Sequence, residues 1–344
     1  MTLESFIRAM PKVELHVHLE GAIQPATLLA LAERNQVPLP ANTVAGLRSW
    51  YRFTSFSHFV EVYLAISACI RTPDDIELIA RELLVNQAAQ HIRYSEVTYT
   101  AYTHYYFKGL PFRDQLDALN RARAWAEAEL GTTMRLIVDI PRSIAAEHGL
   151  QIAGWAIDGM GAGVVALGLG GPEVGHPPEK FSAAFERARA AGLASVPHAG
   201  ELVGPESIWG ALRALHADRI GHGVRCVEDP ALVAELRARQ TPLEVCPTSN
   251  VCLGVVPSLE DHPLPLLLAE GLYVTLNSDD PPLFNTTLTG EYLAAARTFS
   301  LGPDELERLV LNAARASLLE PAARAELEAH IAAEFARLRV EHSC

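Results

Sequence analysis

Strand-like and helix-like segments alternate along most of this 344-residue chain, and that rhythm limits its fold more than any other feature. Residues 12–18 alternate at period two, the spacing of a strand. Residues 92–100, Ile-Arg-Tyr-Ser-Glu-Val-Thr-Tyr-Thr, are β-branched and aromatic, the composition of a second strand. Further strands are expected at 134–139, 164–169, 194–198, 219–222, 243–246 and 273–277. Helical patterns fall at 25–35, 112–130, 143–157, 178–191, 205–216, 229–239 and 263–270. Proline opens several of them, at a position where its missing N–H costs nothing. Residues 40–90 carry helical patterns without a strand, and the remainder, 288–340, reads as helices alone. Eight strands separated by helices fit an α/β fold, a (β/α)8 TIM-type barrel. It would have a helical lid insertion after strand 1 and a helical C-terminal tail, all in one domain spanning 1–344. An open doubly wound sheet is the alternative; the first strand lacks the Gly-x-Gly-x-x-Gly turn of its dinucleotide-binding form.

In such a barrel, chemistry belongs at the C-terminal ends of the strands. His16 and His18 share one face of the first strand and can grip one ion, although a His-x-His alone is more often two polar residues on a half-buried strand. The fifth expected strand ends in His198-Ala199-Gly200-Glu201, the sixth in Gly221-His222-Gly223 and the eighth in Ser278-Asp279-Asp280. Each has an ordinary explanation by itself: a strand end, a turn, a helix-start carboxylate. Together they place imidazoles and carboxylates at four strand ends that a barrel brings to one mouth. Three imidazoles and a carboxylate with a position left for water make a catalytic zinc site, where the pKa of that water falls toward neutrality.

These motifs resemble those of the adenosine deaminase family, metal-dependent barrels of the amidohydrolase superfamily. The likeness rests on His16-Val17-His18-Leu19-Glu20-Gly21-Ala22, His198-Ala199-Gly200-Glu201, Arg219-Ile220-Gly221-His222-Gly223 and Ser278-Asp279-Asp280-Pro281. It runs in matching order from about residue 11 to residue 316. The resemblance implies that His16, His18, His198 and Asp279 hold zinc. It implies that Glu201, kept protonated in a dry pocket, exchanges a proton with the purine N1. His222 would orient the attacking hydroxide, Asp280 would accept a hydrogen bond from the same water, and the Gly171 N–H would bond the purine N3. Phe56, Phe59, Val60 and Tyr63 form one stripe of a helix in the insertion. They would be an apolar packing face or, by the resemblance, a lid over the substrate.

The expected reaction is hydrolysis of adenosine or 2′-deoxyadenosine to the inosine product and ammonia. Glu20 stands where adenosine deaminases usually carry Asp, the carboxylate that meets the ribose 5′-hydroxyl. Glu there also occurs in relatives acting on free adenine, so adenine and aminodeoxyfutalosine are the alternative substrates. Gly170-Gly171-Pro172-Glu173 leans toward the nucleoside enzymes, whereas the stretch from Glu173 to Phe181 is shared with those other relatives. A catalytically silent purine-binding protein is the remaining reading.

Composition narrows the partners. A net charge of −13 disfavours nucleic acid and anionic membranes. Only Lys12, Lys108 and Lys180 occur as lysines, and none stands in the fourth strand, where two-metal barrels carry a carboxylated Lys; one zinc per chain is therefore expected. Other divalent metals suit the same ligands. The five cysteines are scattered and form no Cys-x-x-Cys pair, which excludes the cytidine-deaminase type of zinc site. They suit reduced thiols in a cytoplasm, and the first ten residues lack the apolar core of a signal peptide. Oligomeric state is not legible.

Overall fold

The computed structural model describes residues 2–342; Cys344, one of the expected thiols, lies outside them. Eight parallel strands pair in sequence order: β1 (Lys12–His18), β2 (Ile92–Tyr99), β3 (Thr133–Pro141), β4 (Val164–Gly170), β5 (Ala194–Ala199), β6 (Ile220–His222), β7 (Leu243–Val245) and β8 (Val274–Leu276). β8 returns to β1 through a parallel bridge between Val17 and Asp279, so the sheet is a nearly closed barrel ringed by helices. The expected (β/α)8 architecture is the observed one.

The stretch after β1 folds as helices Val44–Trp50, Phe56–Ala68 and Pro73–Ala89. Thr72 opens the last of these with a capping box to Asp75, and a proline follows at the first helical position. That helix packs along Phe112–Glu129, outside β2 and β3. Apolar packing forms two large clusters, one under the insertion and β2–β4, the other under β6–β8 and the C-terminal helices. The tail lies on the barrel: Pro303–Ala316 packs against β8 and β1, and Pro321–His342 against that helix, with Phe335 6.1 Å from Phe6.

The barrel interior below the mouth is polar. Arg219, buried, reaches Glu96 at 2.5 Å and Glu244 at 2.6 Å. Glu96 also accepts from Tyr94 and from the Leu318 N–H, which ties the tail to the barrel floor. Such a buried cation is tolerable because two carboxylates and a backbone carbonyl, Ala316 O, satisfy it. Among the described residues no helix is long and apolar enough to cross a membrane.

Candidate metal centre and substrate cleft

His16 and His18 leave the end of β1 toward the barrel axis, His198 leaves β5, and Asp279 follows β8. One donor atom from each lies within 4.8 Å of the others, and all four residues are buried. The His18 and His198 Nε2 atoms are 3.2 Å apart, and Asp279 Oδ1 is 3.2 Å from His18 Nε2 and 3.4 Å from His16 Nε2. His16 Nε2 is buried without a hydrogen-bond partner, as a nitrogen reserved for a cation would be. Its other nitrogen, Nδ1, is held 2.8 Å from Glu244 Oε2. The donor set and its orphaned nitrogen fit a divalent cation with nitrogen and oxygen ligands.

Burial opposes charge on His16, but Asp279 and Glu244 outweigh it and raise the imidazole to about 10. His18 rises to about 9 against the same desolvation, through Asp280 and Asp279. The negative field that draws protons to these nitrogens draws a cation equally well. His198, buried beside other imidazoles, is pushed well below the ordinary range and stays neutral. Asp279 itself stays ionised, because its histidine neighbours overcome burial, and Ser249 Oγ donates to its Oδ2 at 2.6 Å.

Two site residues sit in left-handed backbone, His222 at φ 60° and Asp279 at φ 64°. Non-glycine residues take that conformation at a cost, commonly where a site needs a side chain re-aimed. Gly200, at φ 72°, turns the chain between His198 and Glu201; a Cβ there would run into Ile208. Beyond it the backbone N–H groups of Gly200, Glu201, Leu202 and Val203 all converge on the Glu173 carboxylate at 2.6–3.0 Å, and Ser207 Oγ adds a fifth bond. Glu173 thereby fixes the loop that presents Glu201.

The Glu201 carboxyl is buried, and its Oε1 has no hydrogen-bond partner. Desolvation first, then Asp279 and Glu173, push it well above the usual carboxylate range, which favours the proton-carrying form. Asp280 is pushed upward as well, by burial and by Asp279, with Oδ1 unpartnered. Burial lowers His222 to about 4. Its Nε2 lies 3.8 Å from Glu201 Oε1 and 3.9 Å from Asp279 Oδ2.

A cleft of about 830 Å³, its open mouth included, reaches down to this cluster. His18, His198, Glu201, His222, Asp279 and Asp280 line its floor, Gly171 one wall, and Phe56, Phe59, Val60 and Tyr63 its roof. Phe59 stacks on Phe284 with centroids 5.7 Å apart, and Tyr63 meets His18 edge-on at 6.3 Å. The expected stripe therefore packs and also lines the cleft. His16 lies beneath the floor, and Glu20 is not in the wall. Its carboxylate accepts from Tyr63 Oη at 3.2 Å, the Thr100 N–H at 3.2 Å and His104 Nε2 at 2.9 Å, and of these partners Tyr63 and Thr100 line the cleft.

Several contributors escaped the sequence reading. Glu244, Glu173, Ser249 and Asn250 support the site, and Thr103, Asp139, Arg142 and Ser143 complete the cleft wall. The signal for Glu244 was present, since a charged residue between Leu243 and Val245 in a buried strand needs a partner. Asn250 follows Pro247-Thr248-Ser249 on a short helix that carries no such mark.

With this geometry the comparisons agree. A sequence profile of the family described as adenosine deaminase matches residues 11–334. An aminodeoxyfutalosine deaminase of Streptomyces avermitilis is 43% identical over 96% of this chain and 92% of its own. The crystal structure of an adenine deaminase from Arthrobacter aurescens superposes with a TM-score of 0.90 at 36% identity, covering 94% of this chain and 98% of that one. An amidohydrolase from Burkholderia ambifaria with bound Zn gives 0.90 at 29% identity over 98% and 94%. The chain belongs to the adenosine deaminase family of the amidohydrolase superfamily.

Proposed function

We propose that this chain hydrolytically removes the 6-amino group of a purine nucleoside larger than adenosine, such as aminodeoxyfutalosine, leaving the 6-oxo purine and ammonia. The cleft carries this reading. Away from the metal cluster its wall is polar, with Thr103, Arg142 and Ser143, opposite the apolar roof. That division suits a purine at the floor carrying an extended substituent toward the mouth. The similarity to the Streptomyces deaminase supports the same substrate.

His16, His18, His198 and Asp279 would hold one zinc. A bound divalent cation supplies a nucleophile at neutral pH by lowering the pKa of a water. Only one ion is expected, because the other candidate grouping among the described residues, His222, Cys246 and Asp279, shares Asp279 with the first. Glu201 donates its proton to ring N1, which makes C6 electrophilic. Asp280 takes a proton from the water that adds at C6, and His222 steadies the negative charge developing on that oxygen. The Gly171 N–H, on the cleft wall, bonds N3. Asp280 passes the water's proton to the departing amino group, Glu201 recovers a proton from the new hydroxyl, and ammonia leaves as the carbonyl forms. The roof residues exclude water and help keep Glu201 neutral.

Free adenine is the second reading, and one observation favours it. The Glu20 carboxylate expected to meet a ribose hydroxyl is already engaged by Tyr63, Thr100 and His104. Metal-replete protein should be given aminodeoxyfutalosine, adenine and adenosine at equal concentration, following the fall in adenine absorbance. We expect kcat/KM for aminodeoxyfutalosine to exceed the others by at least about tenfold, the discrimination a well-formed pocket provides. Preference for adenine would replace the larger nucleoside with the free base, and preference for adenosine would restore the smaller one. Glu201→Gln should retain its metal while losing on the order of 10²-fold or more in kcat; near-normal turnover would remove Glu201 from proton transfer.

A further inference from the structure

His222 faces the reaction with one ring nitrogen, and its other nitrogen starts a buried chain of hydrogen bonds that ends on the backbone. Asn250 Nδ2 lies 3.3 Å from His222 Nδ1. Asn250 Oδ1 lies 3.1 Å from His262 Nε2. His262 Nδ1 lies 3.0 Å from the backbone nitrogen of Leu264. Asn250 and His262 are both buried, on the segment between β7 and β8. Neither has a role in the chemistry derived above.

The direction of this chain is fixed from its far end. A peptide N–H only donates, so His262 Nδ1 accepts from Leu264. A neutral imidazole accepting at Nδ1 carries its proton on Nε2, which then donates to Asn250 Oδ1. The Asn250 amide is thereby oriented with its NH2 toward His222, and it donates to Nδ1. The opposite amide orientation fails, because His262 would have to accept at both nitrogens, which imidazole cannot do without losing both protons. His222 is left with its proton on Nε2, the nitrogen 3.8 Å from Glu201 and 3.9 Å from Asp279. A second fixed point reinforces the first: the Asn250 carbonyl accepts from the Val255 and Val256 N–H groups at 2.8 and 3.2 Å, which pins its backbone.

We propose that Asn250 and His262 are positioning residues that hold His222 as the Nε2–H tautomer, so that His222 enters the reaction as a hydrogen-bond donor and not as a base. The inference rests on the deaminase reading for the use His222 makes of that proton, but the tautomer stands on the hydrogen bonds alone. It has a mechanistic consequence. A nitrogen that already carries a proton cannot take one from the attacking water, so that proton goes to Asp280. The donor instead faces the oxygen on which negative charge grows, the arrangement that stabilises a transition state most effectively.

The test is long-range 1H–15N correlation on protein labelled in its histidine rings and loaded with zinc, with the His222 signals identified by their loss in His222→Gln. We expect a protonated, pyrrole-type Nε2 and a lone-pair, pyridine-type Nδ1. In Asn250→Asp an acceptor replaces the donor, and the pattern should reverse, with the proton on Nδ1. Its kcat should fall on the order of 10²-fold or more, the size of a lost proton-donor role, while KM and zinc content stay near native. His262→Phe, which releases the amide to turn over, gives a second variant should the first fail to fold; it should show a mixture of the two patterns and a smaller loss. Nδ1–H in the native protein overturns the proposal, as does a native-like pattern in the folded variants. A tautomer that switches as expected in a protein that deaminates no 6-aminopurine would uphold the positioning and overturn the deaminase reading instead.

Discussion

Glu244 serves two partners with one carboxylate. Oε1 accepts from Arg219 Nε at 2.6 Å and Oε2 from His16 Nδ1 at 2.8 Å. The second bond fixes Nδ1 as the protonated nitrogen of His16 and leaves Nε2 as the ligand, the usual carboxylate–histidine support of a metal site. Burial would raise Glu244, but Arg219 and His16 keep it ionised and below the ordinary range. Glu244→Gln should therefore weaken zinc affinity about 10- to 100-fold, read by competition with a chelator of known affinity. Native affinity in a folded variant would show that His16 needs no such support. The candidate ligands His16, His18, His198 and Asp279 were legible because each stands near or just beyond a strand end within a recognisable local motif. For Glu244 the need of a partner was legible but not the partners themselves, because His16 and Arg219 are distant in sequence from the Leu-Glu-Val in which it stands. Pairing across the barrel floor is written only in the closed sheet.

Elements were legible where local pattern and tertiary demand coincide. β1 spans the residues its alternation marks, and β2 and β4 differ from expectation by one residue at an end. The helix Ala101–Lys108 was missed, and its sequence shows why. Tyr, Thr, His and Phe are poor helix formers, and eight residues are too few to be helical alone. Tertiary bonds sustain it: His104 to Glu20, and Lys108 Nζ to Ser67 O and His104. The helix Pro247–Cys252 was missed for the same shortness, and the helix Leu288–Phe299 holds it in place. Glu291, buried on the longer helix, accepts from the Thr248 N–H at 3.1 Å and Thr286 Oγ1 at 2.5 Å. Burial outweighs those bonds and lifts Glu291 from 4.5 to about 7. Between those two values the folded chain holds more protons than the unfolded one, so stability falls as pH rises through the window. Above pH 7 the fold carries a costly carboxylate. Glu291→Gln keeps an acceptor but cannot ionise. Its Tm advantage over the native protein should grow from pH 5 to pH 8, by an amount worth at most a few kcal/mol. An advantage independent of pH would mean that Glu291 is not ionising in the fold.

The barrel is closed by the same residues that would hold the metal. Between β8 and β1 the chain makes the seam through His18 N–H to Asp279 O and Asp279 N–H to His16 O, both 3.0 Å, with Leu15 N–H on Asn277 Oδ1 at 2.9 Å. Strand pairing there is a single bridge, whereas β1 and β2 share a ladder along their length. The helix Pro303–Ala316 covers the seam from outside, against both strands. A cation bound by His16, His18, His198 and Asp279 would join β1 and β8 to β5 on the far side of the barrel, tightening the weakest pairing from within. Zinc should therefore stabilise the fold beyond filling a pocket. Binding to the folded chain alone is worth about 4 kcal/mol at a thousand times Kd, which raises Tm by several degrees. Hydrogen exchange separates that general effect from a local clamp. If the ligands brace the seam, the His18 and Asp279 amides should gain more protection on zinc loading than the amides of β2 and β3, which contribute no ligand. Equal gains across all strands would reduce the metal to a ligand of an already closed barrel. A selective gain would mean that catalytic site and closure are one structure, and that substitutions in the seam such as Asn277→Ala should weaken metal affinity together with stability.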